Sequence, residues 1–238
     1  MTRKIRIGLA GLGRMGRIHA ASLSARCPSA ELACVFDADE GAARQVGEQF
    51  GVPVAPSYED MLADGAVDAV VIATPTGTHA GLVGRACRAG QHVFCEKPIS
   101  LERQATLDTI EAVRAAGVTF QVGFHRRFDP DWAAATERIR AGELGDVYLF
   151  RTSLRDMNPP DPRFLTSAGG FFVDVTIHDL DTARWMVGEI VEVTAYDALA
   201  AFDLARAAEE SWRWGRTVAV EPQRTGTDVI YTVKQENR

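Results

Sequence analysis

The chain has 238 residues, enough for one large domain or two small ones with a real core. Hydrophobic residues make up 46% and charged residues 24%, the balance of an ordinary globular protein. The net charge is −6 and the arginines are scattered rather than clustered, which argues against nucleic acid or an anionic membrane as the main partner.

Residues 4–10 read as a strand, with Ile5, Ile7 and Leu9 alternating before a glycine turn. A helix is expected over 14–27, stopped near Pro28, then a strand over 31–36 and a helix over 39–50 ending at Gly51. Ser57 and Asp60 form a capping box for a short helix to Ala63. Residues 67–73 are a continuous apolar run, as expected of a parallel strand covered on both faces. Helix over 79–89, strand over 92–95, helix over 102–116 and strand over 118–122 complete the alternation. The fold class that follows is α/β, an amino-terminal doubly wound parallel sheet.

The four cysteines, Cys27, Cys34, Cys87 and Cys95, form no CxxC pair and fall on or beside core elements. They read as small buried hydrophobes in a reducing compartment. The basic start and apolar run of residues 1–10 are broken by Gly11, Gly13 and Arg14 too early for a signal peptide, and no membrane-length stretch follows. A cytoplasmic location with no membrane partner is the expectation.

Gly11-Leu12-Gly13-Arg14-Met15-Gly16 lies between the first strand and the first helix, where a dinucleotide fingerprint must lie to work. Gly11 allows the tight turn, Gly13 lets the backbone approach a pyrophosphate, and Gly16 lets helix pack on strand. The phosphates then meet free N–H groups at the helix start. Asp37 ends the second strand, where a carboxylate can accept both ribose hydroxyls and would repel a 2′-phosphate, so NAD is favoured over NADP.

Ligands of an open parallel sheet bind beyond the carboxyl ends of its strands. After the third strand comes a polar turn with Thr74, Pro75, Thr76 and His79, suited to contacting the cofactor. After the fourth comes Glu96-Lys97-Pro98, which aims a lysine at the nicotinamide region. Downstream, residues 170–186 carry a helical pattern, and Asp174 and His178 at spacing four fall on one face of it. Asp181 lies three residues further on, but no His or Cys cluster supports a metal site.

Together, GLGRMG, Asp37, ATPTGTH, CEKP, GFHRRFDP and DVTIHDLD resemble, in content and order, the glucose–fructose oxidoreductase/inositol dehydrogenase/MocA family, and within it the inositol 2-dehydrogenases. The resemblance runs from Ile5 to about Val193. It implies a Rossmann domain over 1–122 and, over 123–238, a substrate domain that in this chain is a truncated α+β unit. It also implies Lys97, Asp174 and His178 as a catalytic trio and Arg127, Asp156 and Asn158 as residues near the substrate, with a cyclic polyol or sugar as substrate and a homo-oligomer as the assembly. His125 stands where relatives often carry another polar residue, so its role is open. The imidazole of His178, with an ordinary pKa of about 6.5, suits proton abstraction near neutral pH.

After the Asp–His helix the family's pattern is interrupted. Residues 189–195 read as one strand and lead directly into an amphipathic helix over 197–214, so much of the family's open sheet is expected to be missing through an internal deletion near Ala195. Residues 227–234 alternate as a further strand. Val191, Val193 and Phe150 are expected to lose cover, and exposed strand edges to invite association. Two functions follow: an NAD-dependent dehydrogenase of cyclic polyols or sugars, or a catalytically weak or inactive NAD-binding protein.

Overall fold

The computed structural model describes residues 3–63, 65–154, 169–170, 172–190, 220–225 and 228–233. The chain forms two compact units, residues 1–188 and 189–238. The first opens with β1 (Ile5–Ala10), α1 (Arg14–Arg26), β2 (Ala30–Phe36), α2 (Glu40–Phe50), α3 (Tyr58–Leu62), β3 (Ala69–Ile72), α4 (Thr76–Arg88), β4 (His92–Cys95), α5 (Arg103–Ala116) and β5 (Phe120–Val122). All five strands are parallel, in the order β2-β1-β3-β4-β5. Val54 adds a parallel bridge to Val35 on the outer side of β2. Counting that bridge as a vestigial third strand restores the 3-2-1-4-5-6 order of dinucleotide-binding sheets, with the switch point between β1 and β3.

Alternate strand residues feed two apolar layers. Val70 and Ile72 join Tyr58, Met61, Leu82 and Val83 on one face, while Ile7, Leu9, Val35 and Val71 meet Ala20, Ala43 and Val46 on the other. At about 1.5–3 kcal/mol per buried aliphatic side chain, these layers dominate the stability of the half. Local signals set the helix ends. Asp39 accepts from the N–H groups of Gly41 and Ala42, and Ser57 from Asp60. Gly51 and Gly117 close α2 and α5 in the left-handed conformation.

The elements expected through residue 122 all occur, with shifted ends. The strand expected over 67–73 pairs only over Ala69–Ile72, and the helix expected from 79 begins at Thr76, directly after Pro75. A 3-10 turn (His125–Phe128) and α6 (Pro130–Arg140) follow β5. Asp129 caps α6, accepting from Asp131 and Trp132 N–H groups, with Pro130 at its first position.

The helix expected over 170–186 is two elements. Phe172–Thr176 is a π turn, and α7 (Ile177–Val187) continues from it. The one-face argument for Asp174 and His178 assumed α pitch throughout. The wider π turn instead directs Asp174 by its own backbone, and such turns concentrate at functional sites.

In the second unit, β6 (Val220–Thr225) pairs antiparallel with β7 (Asp228–Val233), from Val220 opposite Val233 to Thr225 opposite Asp228. β7 is the strand expected over 227–234. Glu189 and Ile190 belong to no strand, and the rest of the segment 189–195, with Val191 and Val193, lies outside the described residues, as does the helix expected over 197–214. Phe150 is half-buried, whereas its neighbours Tyr148 and Leu149 are 93% and 82% exposed. Among the described residues no helix is long and apolar enough to cross a membrane.

Candidate active site

Backbone bonds bring the carboxyl ends of the strands to one rim. Gly11 N–H donates to Phe36 (2.9 Å), Ala73 to Ala10 (2.8 Å), Glu96 to Ile72 (2.9 Å) and Gly123 to Cys95 (2.8 Å). The glycine turn, the Thr74 turn and the Glu96-Lys97-Pro98 turn therefore line up beside the switch point.

The glycines divide their work as the spacing requires. Gly11 has φ +90°, and a Cβ there would sit 2.4 Å from Thr74 N. A Cβ on Gly16 would fall 1.8 Å from the Gly11 carbonyl oxygen. Both positions exclude a side chain for packing reasons. Gly13 differs, because nothing lies within 4 Å of its Cβ position. It caps α1 without any side-chain acceptor, and no acidic residue occupies the first turn, so the helix start is open to an anion.

Asp37 stands beside this opening. Its Oδ2 accepts from Leu12 N–H at 2.6 Å and its Oδ1 from Asp39 N–H at 2.9 Å, so the carboxylate also ties down the glycine turn. An open N-terminus, an empty space over Gly13 and a carboxylate at the end of β2 fit the pyrophosphate and ribose of NAD.

The Thr74 turn is held internally. Thr74 and Thr78 hydroxyls meet at 2.7 Å, and Thr78 Oγ1 donates to the Pro75 carbonyl at 2.8 Å. His79, expected to contact cofactor, is fully buried with both ring nitrogens engaged: Nδ1 lies 2.7 Å from the Pro98 carbonyl oxygen and Nε2 2.8 Å from that of Thr74. It is a staple between the third and fourth strand ends, with no nitrogen left for a ligand.

Lys97 reaches the π turn. Its Nζ lies 2.8 Å from Asp174 Oδ1 and also donates to the Asp174 carbonyl, across 77 positions of sequence. Both side chains are about 15% exposed, at 15% and 16%. His178 follows on α7, edge-on to His125 with ring centroids 4.6 Å apart and to Phe124 at 6.4 Å. Burial, then the Lys97 ammonium and the neighbouring His125 and Arg126, pull His178 down to about 4. The ordinary value assumed from residue type is therefore replaced by that of a half-buried imidazole among cations, uncharged throughout the neutral range.

Glu96 joins this rim to α1. Its Oε1 lies 2.7 Å from His19 Nε2. Burial pushes the carboxyl up, but the bond and charge of His19 and the adjacent Lys97 outweigh it and leave Glu96 below its ordinary value. Gly123 leaves room for this carboxylate, since a Cβ there would sit 2.9 Å from Glu96 Oε2.

The paired arginines after β5 anchor α7. Arg126 is buried, donates to Asp179 Oδ1 at 2.7 Å and Thr182 Oγ1 at 3.3 Å, and stacks over Trp132 at 5.3 Å. Thr152 Oγ1 adds a bond to the same Asp179 oxygen at 2.7 Å. Arg127, expected near substrate, forks onto Asp181, with Nε 2.8 Å from Oδ2, and lies over Phe124. Asp156 and Asn158 lie outside the described residues. Sequence reasoning missed Arg126, Asp179 and His19. The Arg126-Arg127 doublet and the polar face Asp179–Thr182 were visible as residues, but nothing in their spacing said that they meet.

An anion cradle over a parallel-sheet switch point, with an amine, a carboxylate and an imidazole gathered on the same rim, defines a dinucleotide-binding protein carrying an acid–base group. The chain belongs to the Gfo/Idh/MocA oxidoreductase family: the family's NAD-binding Rossmann fold matches residues 5–124 and its C-terminal domain matches residues 132–214. It is 39% identical over 198 residues to the scyllo-inositol 2-dehydrogenase (NAD(+)) of Bacillus subtilis, covering 82% of this chain and 58% of that one. The solved structure of a putative myo-inositol dehydrogenase from Sinorhizobium meliloti superposes with TM-score 0.76 at 31% identity, covering 98% of this chain and 70% of that one. A scyllo-inositol dehydrogenase from Lactobacillus casei, solved with NAD(H) and scyllo-inositol, superposes with TM-score 0.72 at 30% identity, over 97% and 69% of the two chains. The chain thus spans a little under three-fifths of the length of that Bacillus relative.

Proposed function

We propose that the chain is an NAD-dependent dehydrogenase that oxidises a ring CH–OH of a cyclic polyol or sugar of the inositol type. The observation that carries this reading is the Lys97–Asp174 pair, held at 2.8 Å beside His178 on the rim that also carries the glycine cradle. In this reading bound NAD supplies the hydride acceptor. His178 is uncharged near neutral pH, because burial and Lys97 hold it at about 4, and so it is ready to take the substrate hydroxyl proton. Lys97 donates to the same oxygen and stabilises its developing negative charge. Asp174 fixes the amine in place, and accepts a hydrogen bond from a neighbouring substrate hydroxyl.

Asp156 and Asn158 remain proposed substrate contacts. Arg127 is assigned to positioning, since Asp181 occupies its guanidinium and that pair braces α7. Residues 1–122 bind cofactor and residues from 123 onward serve the substrate side. The test is the near-ultraviolet absorbance of NADH on mixing the protein with NAD and a panel of cyclic polyols, beside calorimetric NAD binding. Absorbance growth with an inositol supports the proposal. NAD binding without absorbance change on any polyol replaces it with a nucleotide-binding role.

A further inference from the structure

A proton taken by His178 cannot rest there. The imidazolium would form half-buried, against the Lys97 ammonium and the buried Arg126 guanidinium, with Glu96 opposing them, while Asp174 is already paired to Lys97. The site therefore needs an exit for that proton.

One group is placed to provide it. His125 sits on the 3-10 turn after β5, exposed to solvent, with its ring edge-on to His178 at a centroid distance of 4.6 Å. We propose that His125 is a proton relay: it accepts the proton from His178 and passes it to bulk water. This rests on the dehydrogenase reading above. In the first step the substrate O–H bond breaks and an N–H bond forms on His178. In the second that N–H bond breaks as one forms on His125, and in the third His125 gives its proton to water. His178 returns to the neutral form, and the substrate has lost one proton to solvent and one hydride to the nicotinamide cofactor.

Charge favours this direction of transfer. His178 faces Lys97, Arg126 and His125, with Glu96 opposing them. His125 faces Arg126 and Lys97, but Glu96 and Asp129 both offset them, and its ring opens to solvent. Both imidazoles lie below the ordinary histidine value through burial first, and His178 lies well below it at about 4. Each is neutral when the cycle starts, and the exposed ring sheds charge to water more readily than the enclosed one. In the relay, rotation of the His125 ring about its Cβ–Cγ bond would present a nitrogen to His178.

The experiment compares wild type with His125→Asn, using the full chain. Proton-detected NMR of the imidazoles, without cofactor or substrate, is expected to show His178 titrating at higher pH in the variant, because a like-charged neighbour is gone. In steady-state oxidation of the best polyol, kcat is expected to fall about tenfold at neutral pH, with KM little changed and a larger solvent isotope effect, less than the roughly hundredfold or more of a direct general base because His178 remains. Added imidazole buffer is expected to restore much of the loss in the variant and do nothing in wild type. An active wild type whose variant keeps its kcat and shows no buffer rescue overturns the relay alone. A wild type that oxidises no polyol overturns the underlying reading and the relay with it.

Discussion

The two halves of the first unit are held together by different physics. Through β4 the structure rests on apolar layers: Leu9, Val35, Val46, Val70, Ile72 and Val83 are almost fully buried. After β5, among the described residues, Met186 is the one buried hydrophobic, whereas Arg126, Thr136, Asp181 and Thr182 are buried polar groups. There the joints are ion pairs, Arg126–Asp179, Arg127–Asp181 and Lys97–Asp174. Apolar packing tolerates any partner of suitable shape, whereas a buried charge demands its counterpart. The cofactor side is therefore a generic platform, and the side that carries the proposed acid–base group is a specified assembly that a single lost charge unmakes.

That contrast can be broken most sharply at the proposed reacting groups. His178→Ala is expected to lower kcat about a thousandfold while calorimetric NAD affinity stays near wild type, since the proposed mechanism puts the two properties in different halves. Next in size is the choice between Arg126→Ala and Leu9→Ala. Removing Arg126 leaves Asp179 largely buried without its counter-charge and is expected to cost about 3–5 kcal/mol. Hydrogen exchange should rise across Phe172–Val187 and stay unchanged in the sheet. Leu9→Ala is expected to cost about 2–5 kcal/mol and to raise exchange throughout.

The pH dependence sharpens the comparison further. His178 falls from its ordinary value to about 4 in the folded protein. As pH drops from about 6.5 toward 4 the unfolded chain binds that proton and the folded chain does not, so folding stability falls with pH in this window and its contribution is fully present above it. The acid limb of kcat/KM is expected near pH 4 rather than near 6.5, and a full pH–rate profile checks it.

Smaller effects belong to the cradle. Asp37→Ala removes a charged acceptor from Leu12 N–H and is expected to weaken NAD binding about ten- to a hundredfold by titration calorimetry. Gly13→Ala fills space that is otherwise empty and is expected to leave folding stability within about 0.5 kcal/mol of wild type while weakening NAD binding. A comparable loss of stability would mean that Gly13, like Gly16, serves packing alone.

Legibility in the sequence follows the same division. Alternating apolar runs, glycine stops and capping residues are local signals, so β1 through β5 and their helices could be placed within a few residues. Lys97, Asp174 and His178 were visible as residue types, and the resemblance joined them. Their geometry was not, because the π turn at Phe172–Thr176 has no pattern of its own and the partner of Asp174 lies 77 positions away. His79 reads as a polar turn residue, and only burial between Thr74 and Pro98 turns it into a staple. Arg127 likewise is implied by the resemblance to lie near the substrate, until Asp181 is brought against it by the fold.

The most direct measurement is NADH formation on mixing NAD with myo-inositol and scyllo-inositol, followed for wild type and for Lys97→Met under the same conditions. Steady turnover by wild type is expected, with at least a hundredfold loss in the variant and NAD affinity retained. Equal rates in the two proteins, or none in wild type across the cyclic polyols, would contradict the proposed mechanism.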